Sequence, residues 1–349
     1  AQLILLLTRV WQKTPLPLFK QRVKETVEWA LRELRLPGGG FAGTLDADSP
    51  NENHVSQEGA FYVWDELELK SLLGNNFDIF KKFYDVSKEG NWDQKNILNR
   101  LKTIEINNEQ TEKFLTSCRD ILFNARERRP KPQIDCKILA DWNGLMIAAL
   151  CYAGIVFKEA AWSDAAVSAY NFIKTNLSST TRLNHSYCLG YSKDTDVLDD
   201  YAFMIKGALY LYQTTGFQEY LSQAINWTST TNEYFWDHDG AGYFNSPSDA
   251  TDLISRTKTV FDNATPSGNG IMSENLAILY YLTGDHRYKD KADILITSIL
   301  QKTPNQEANM PSLIAGFEIL QRGIQVIIIS KDTNNALTKA VFSVGNPNL

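Results

Sequence analysis

The feature that most constrains this chain is a helix-pair grammar that returns at least four times. An apolar helix is followed by a short turn, a second amphipathic helix opened by an aromatic residue, and a loop that often carries glycine and an aromatic. The pattern is visible over 7–41, 145–177, 207–244 and 274–300, and the first and third copies end alike, in GGGF and GAGYF. In each copy the first helix is apolar nearly all round, as a helix buried on both sides must be, whereas the second shows a single apolar stripe. That asymmetry implies two layers, an inner ring of buried helices wrapped by an outer ring. A helical solenoid would also accommodate the pairs. Closure is favoured because acidic and aromatic residues return at the same end of the hairpins. The expected fold is therefore all-α, an (α/α) toroid over 1–322 with a strand-helix appendage over 323–349. Strand signals are few: FYVW at 61–64 and GYF at 242–244 are read as small hairpins, and QVIIIS at 325–330 as a short strand.

Composition removes several function classes. A chain of 349 residues that is 43% hydrophobic and 22% charged has material for a large core, which argues against disorder. Its net charge is −6, and no basic stripe extends beyond Arg126, Arg128, Arg129 and Lys131, so no nucleic-acid partner is expected. The four cysteines form no CxxC pair and are expected to be reduced and buried, without a zinc or dithiol centre. The opening AQLILLLTRVW lacks a basic leader and is too short to span a bilayer, so no membrane association and a cytoplasmic location are expected.

Four clusters carry candidate chemistry. In GGGFAGTLDADSPNENHVSQEGAFYVW, Asp46, Asp48 and Glu58 lie between a glycine turn and an aromatic run that includes Trp64. Counting from Asp46, an EF-hand would need ligands where Pro50, Asn51 and Gln57 stand, so calcium is not expected. The acids either tie down loop amides or form a carboxylate pair whose apolar wall raises one pKa for acid catalysis. In DCKILADWNGLMIAAL, Asp141 or Asn143 either caps the inner helix or faces the funnel, and Trp142 offers an indole face for a sugar. In DVLDDYAFMIKGALYLY the same address returns: capping uses one acid, Asp199, which leaves Asp200 and Tyr201 for the funnel. In LISRTKTVFDNATPSGNGIMSENLAILYYL, Arg256, Lys258, Asp262, Ser267 and Asn269 precede or open a helix, with Arg256 suited to clamping an anionic substituent. No His accompanies Ser267 in a triad, and the histidines are scattered in loops without metal spacing, so no metal and no cofactor are expected.

Taken in order, GGGFAGTLDADS, QEGAFYVW, DCKILADWNGLMIAAL, LDDYAFMI and RTKTVFDNATPSGN resemble the motifs of the thioredoxin-domain-containing proteins related to spermatogenesis-associated protein twenty and their bacterial relatives. The resemblance runs from Ala1 to beyond Ser330. It implies an (α/α)6 toroid like those of six-hairpin glycosidases and sugar 2-epimerases, here possessing neither the N-terminal thioredoxin-like domain nor its CxxC motif. It supports Asp46, Asp48, Glu58, Trp142, Asn143, Asp200, Tyr201, Arg256, Lys258, Asp262, Ser267 and Asn269 as motif positions. Two positions depart from the family: the loop between Asp48 and Glu58 is longer, and Asp141 stands where a small residue is usual, which demotes its acid. The leading expectation is a sugar-active enzyme in which Asp200 and one of Asp46, Asp48 or Glu58 flank a glycosidic bond. Trp64, Trp142, Asn143, Tyr201, Arg256, Lys258, Asp262, Ser267 and Asn269 would then hold the sugar in a central funnel. A sugar epimerase is less favoured, because the motif clusters hold no funnel histidine apart from His54. The alternative is a non-catalytic module that binds a sugar or peptide and works with the absent thioredoxin-like domain.

Overall fold

The structure is a computed structural model that describes all residues except 52, 180, 194, 252, 330–335 and 347–349. Helices α1 (Gln2–Lys13) and α2 (Pro17–Glu33) form the first hairpin. The chain then passes through β1 (Thr44–Leu45), β2 (Asp48–Pro50), β3 (Ser56–Glu58), α3 (Glu66–Leu73), α4 (Phe77–Phe83), α5 (Glu109–Arg126) and β4 (Ile134–Asp135). It returns to the hairpin series with β5 (Ile138–Leu139), α6 (Ala140–Phe157), α7 (Ala160–Asn176), β6 (Ser186–Cys188), β7 (Tyr191–Lys193), α8 (Leu198–Thr215) and α9 (Gln218–Tyr234). The remaining helices are α10 (Gly268–Thr283), α11 (His286–Lys302), α12 (Pro311–Arg322) and α13 (Ala336–Ser343). Within the span read as one toroid, the chain divides into two compact units, 1–43 with 136–349, and 44–135.

In the first unit α1, α6, α8, α10 and α12 pack side by side in that order, and α2, α7, α9 and α11 each lie against their own hairpin partner. This two-layered array is all-α and of the (α/α) toroid class. Residue chemistry sets the layers: fifteen of eighteen residues of α6 are buried, against four of seventeen in α11, whose polar residues stay outside. Among the described residues α6 alone is long and apolar enough to cross a membrane, and 72% of that stretch is buried inside the fold, as a core helix requires. Gly144 lets α6 approach α8, since a Cβ there would come within 2.4 Å of the Phe203 carbonyl carbon. Tight turns at one end join inner to outer helices through left-handed Lys158, Gly216 and Gly284, each closing a helix C-terminus. The longer loops therefore gather at the other end, where α6, α8 and α10 begin.

The second unit pairs β1 with β4 and β2 with β3, both antiparallel, and packs α3, α4 and α5 around Leu69, Phe80, Leu115 and Cys118.

Among the described residues, three expected strands are not formed. Residues 61–64 form a turn whose Trp64 makes one bridge to Asn96, and Tyr243 makes a single bridge to Trp236. Residues 325–329 are irregular, because β-rich composition without a neighbouring strand leaves the ladder unmade, and Ser330 lies outside the described residues. Of the cysteines, Cys118 and Cys151 are buried as expected, whereas Cys136 and Cys188 are half-buried.

Candidate active site at the inner-helix N-termini

The site begins with a short ladder. β5 pairs with β6 through Ile138 and Tyr187, and the Ala140 N–H donates to the His185 carbonyl at 2.9 Å. Because Ala140 opens α6, this ladder fixes Asp141 relative to His185. The His185 ring bonds in turn to α8: Nδ1 lies 2.9 Å from Asp200 Oδ1, while Asp200 Oδ2 accepts from the Val197 N–H at 3.0 Å. Asp200 is fully buried and Asp141 nearly so. One ligand-capable atom each from Asp141, His185 and Asp200 lie within 4.8 Å of one another. Asp199, the second residue of α8, stands next to them and accepts from the N–H of Gly268, which opens α10. Gly268 admits that contact, since a Cβ there would sit 2.3 Å from Asp199 Oδ1.

Electrostatics separates these groups from ordinary surface acids. Burial, then the Asp200 charge, pushes Asp141 up to about 6, and burial followed by Asp141 pushes Asp199 up to about 6. A helix N-terminus favours a carboxylate by about 0.3–1 kcal/mol at an exposed end. A rise of about two pKa units corresponds to roughly 3 kcal/mol in the other direction, so desolvation and like charge win here. Burial also raises Asp200 against the pull of His185, and the hydrogen bond to Asp200 raises His185 above its usual range. The arrangement is a His–Asp dyad facing a second acid whose pKa burial and like charge push up to about 6.

The same three side chains are spaced as metal ligands. An ion held by all of them would have to displace the His185–Asp200 bond. Held by the other ring nitrogen and Asp141 alone, it would leave Asp200 orienting the imidazole.

The remaining candidates divide sharply. Trp142, on the first turn of α6, is 44% exposed and its backbone N–H donates to Asp141 Oδ1 at 2.7 Å, which leaves the indole face open. Asn143 is spent on the fold: its Oδ1 accepts from the Phe41 N–H at 2.8 Å and its Nδ2 donates to the carbonyls of Phe41 and Leu139. Asn269 repeats this on α10, accepting from Tyr243 N–H at 2.8 Å and donating to the Tyr243 and Thr259 carbonyls. Tyr201 is the α8 counterpart, its hydroxyl accepting from Leu183 N–H and donating to Asp196. Arg256 donates to the carbonyls of Ser246 and Tyr234 and stacks on Phe244, while Lys258 binds Asp237 and the Ala241 carbonyl. Asp262 accepts from the Ser267 N–H and from the Ser312 backbone and hydroxyl, and Ser267 caps α10 through Gly270 N–H.

Asp46, Asp48, Glu58 and Trp64 belong to the second unit. Asp46 accepts from the Asp48 N–H in a local turn, Asp48 and Glu58 face each other across the β2–β3 pair, and all three are exposed. Trp64 is buried, with the Arg129 guanidinium 4.0 Å over its ring.

His185 is the principal residue that reading the motifs missed, and its position removes the argument that no histidine beyond His54 could serve the funnel. The signal lay in SYC-LG-YSK, two short runs across a Leu-Gly turn, which reads as a hairpin leading His185 to the start of α8. Asp141 was demoted on resemblance, yet it is the acid that faces the dyad.

Fold and site together define a helical-hairpin toroid with a His–Asp pair and a buried acid at the starts of its inner helices. The chain is similar to spermatogenesis-associated protein 20: it is 29% identical to the Rattus norvegicus protein and 28% to the Homo sapiens protein, over 100% of this chain in each case. An uncharacterized protein of Caenorhabditis elegans is 30% identical over 86% of the chain. The chain spans about half the length of the first two relatives and 45% of the third. No family model matches it. Among solved structures it is similar to a GH76 alpha-mannanase of Bacteroides thetaiotaomicron, at TM-score 0.46 and 15% identity over 67% of each chain. A D-mannose isomerase gives TM-score 0.45 and 14% identity, over 86% of this chain and 74% of the other.

Proposed function

We propose that the first unit carries a carbohydrate-active site that moves protons on a sugar bound at the N-termini of α6 and α8. The observation that supports this reading is the His185–Asp200 dyad set within 4.8 Å of Asp141, an acid held up to about 6. Asp141 would protonate the leaving oxygen of a glycoside, and Trp142 would stack on the sugar face. Retaining hydrolysis uses carboxyl groups about 5–5.5 Å apart and inversion about 6.5–9.5 Å. Asp141 and Asp200 bring one oxygen each within 4.8 Å, below both ranges, and both Asp200 oxygens are engaged by His185 and the Val197 N–H, so Asp200 acts by orienting His185. Sugar epimerisation is a second reading, favoured by His185, whose other ring nitrogen would take and return a proton at one carbon. A thioredoxin-like domain in the longer relatives is the proposed partner.

The test is incubation with a panel of mono- and disaccharides in deuterated water, with products read by NMR. Cleavage identifies a hydrolase, and deuterium incorporation at the carbon beside the carbonyl identifies an epimerase. His185→Gln and Asp141→Asn are each expected to lower turnover about 100-fold or more. Binding without turnover, unchanged in Asp141→Asn and Asp200→Asn, would replace this reading with the non-catalytic module. Asp46→Asn, Asp48→Asn and Glu58→Gln in the same assay test the acids of the second unit.

A further inference from the structure

Two thiols outside this site stand close enough to react. Cys136 directly follows β4, two residues before β5 begins, and Cys188 ends β6; their sulfurs lie 3.2 Å apart, against a covalent S–S length of about 2.05 Å. Both are half-buried, so a small reagent has access from solvent. Beyond Cys188 the chain turns through Leu189 at φ 49 and Gly190 at φ 93, and Leu189 and Tyr191 are each 82% exposed. A left-handed leucine is an uncommon turn residue, and it presents Cys188 at the base of a protruding apolar tip. We propose that Cys136 and Cys188 are a redox modification site, closing a reversible disulfide by exchange with a glutathione-type disulfide.

The chemistry balances without a metal. The thiolate of one cysteine attacks a sulfur of the external disulfide and releases one thiol as the mixed disulfide forms. The second cysteine's thiolate then attacks the protein sulfur of that mixed disulfide and releases the second thiol. The two cysteines lose two electrons and two protons, and the external disulfide gains them as two thiols. The other two cysteines do not compete. Cys118 is buried in the core of the second unit, and burial pushes Cys151 up to about 12 while its sulfur contacts Thr214 Oγ1 at 2.7 Å.

The bond would close the free end of the β5–β6 ladder, whose opposite end holds the His185 carbonyl against Ala140. Oxidation would thus lock the register of the two segments that carry His185 and Asp141. This holds whatever reaction the site performs.

The experiment treats the whole protein with oxidised glutathione, blocks remaining thiols by alkylation in denaturant, and maps a non-reducing digest by mass spectrometry. The expected result is a Cys136–Cys188 cross-link, a fall from four alkylated cysteines to two, and full reversal by dithiothreitol. The oxidised protein should melt higher by roughly 5 °C. Cys136→Ser should lose the cross-link and accumulate a glutathione adduct on Cys188. Four alkylated cysteines in treated wild type, or stable glutathione adducts without the cross-link, would overturn the proposal.

Discussion

Asp141 places a strong demand on the molecule at the scale of one residue, because its carboxyl is buried where ionisation is resisted by Asp200. Its pKa rises from 3.8 to about 6, so the native state binds the proton more tightly than the unfolded chain. Stability therefore falls as pH rises from about 4 to about 6, and the full penalty is present above 6. Asp141→Asn removes the penalty and keeps an acceptor for the Trp142 N–H. It should stabilise the protein by about 1–3 kcal/mol at pH 7.5, with the gain vanishing near pH 4. Denaturant titrations at both pH values check this, and equal gains at the two would refute the burial argument. His185 acts in the same direction: its raised pKa gives stability that is present below about 6.5 and lost as pH climbs through the folded value. With Asp141 as the acid that protonates the leaving oxygen, turnover should fall as pH rises through about 6, and this alkaline limb should be lost in Asp141→Asn.

At the scale of the helix and its loop, one device recurs. Asn143, Tyr201 and Asn269 lie in the first turns of α6, α8 and α10, and each accepts a hydrogen bond from a backbone N–H of the loop that follows an outer helix. These loops contain the bridges Arg35–Phe41, Ser178–Leu183 and Trp236–Tyr243, so the clamp sets where each hairpin ends. Asn269→Ala would strand the Tyr243 N–H and two carbonyls in a buried place, costing about 2–4 kcal/mol. A melting curve reads that loss. A drop in sugar affinity without a drop in stability would instead return Asn269 to the ligand. Gly144→Ala tests the closest helix contact, and the overlap with Phe203 should cost about 1–3 kcal/mol. The hairpins themselves were legible because helix burial imprints a period on the sequence, apolar all round for α6 and striped for α11. The roles of the polar residues at helix starts were not. An asparagine before an apolar run looks the same whether its amide meets a sugar or a backbone loop a hundred residues away, as Asn143 meets Phe41. His185 was hidden for a related reason: its meaning comes from a pairing with Asp200 fifteen residues later, across a hairpin too short to show strong alternation.

For the whole molecule the question is what the two units owe each other. The first unit ties its inner row internally: Arg9 of α1 donates to the Tyr210 hydroxyl of α8 at 2.6 Å, and Lys206 of α8 pairs with Glu274 of α10 at 2.7 Å in a buried setting. The second unit begins and ends on one ladder, with Thr44 opposite Asp135, and directly paired Cα atoms in an antiparallel pair lie about 4.5–5.5 Å apart. A few glycines can span that gap, so replacing 44–135 by a short Gly-Ser linker should keep the helical signal and one cooperative melting transition. The raised His185 titration, followed by NMR, should persist, since all its partners lie in the first unit. Loss of cooperative melting would mean that the hairpin array depends on the second unit for its stability. A folded deletion that keeps the His185 titration but no longer binds or turns over sugar would assign ligand contacts to the second unit, where Asp46, Asp48 and Glu58 are the first residues to substitute.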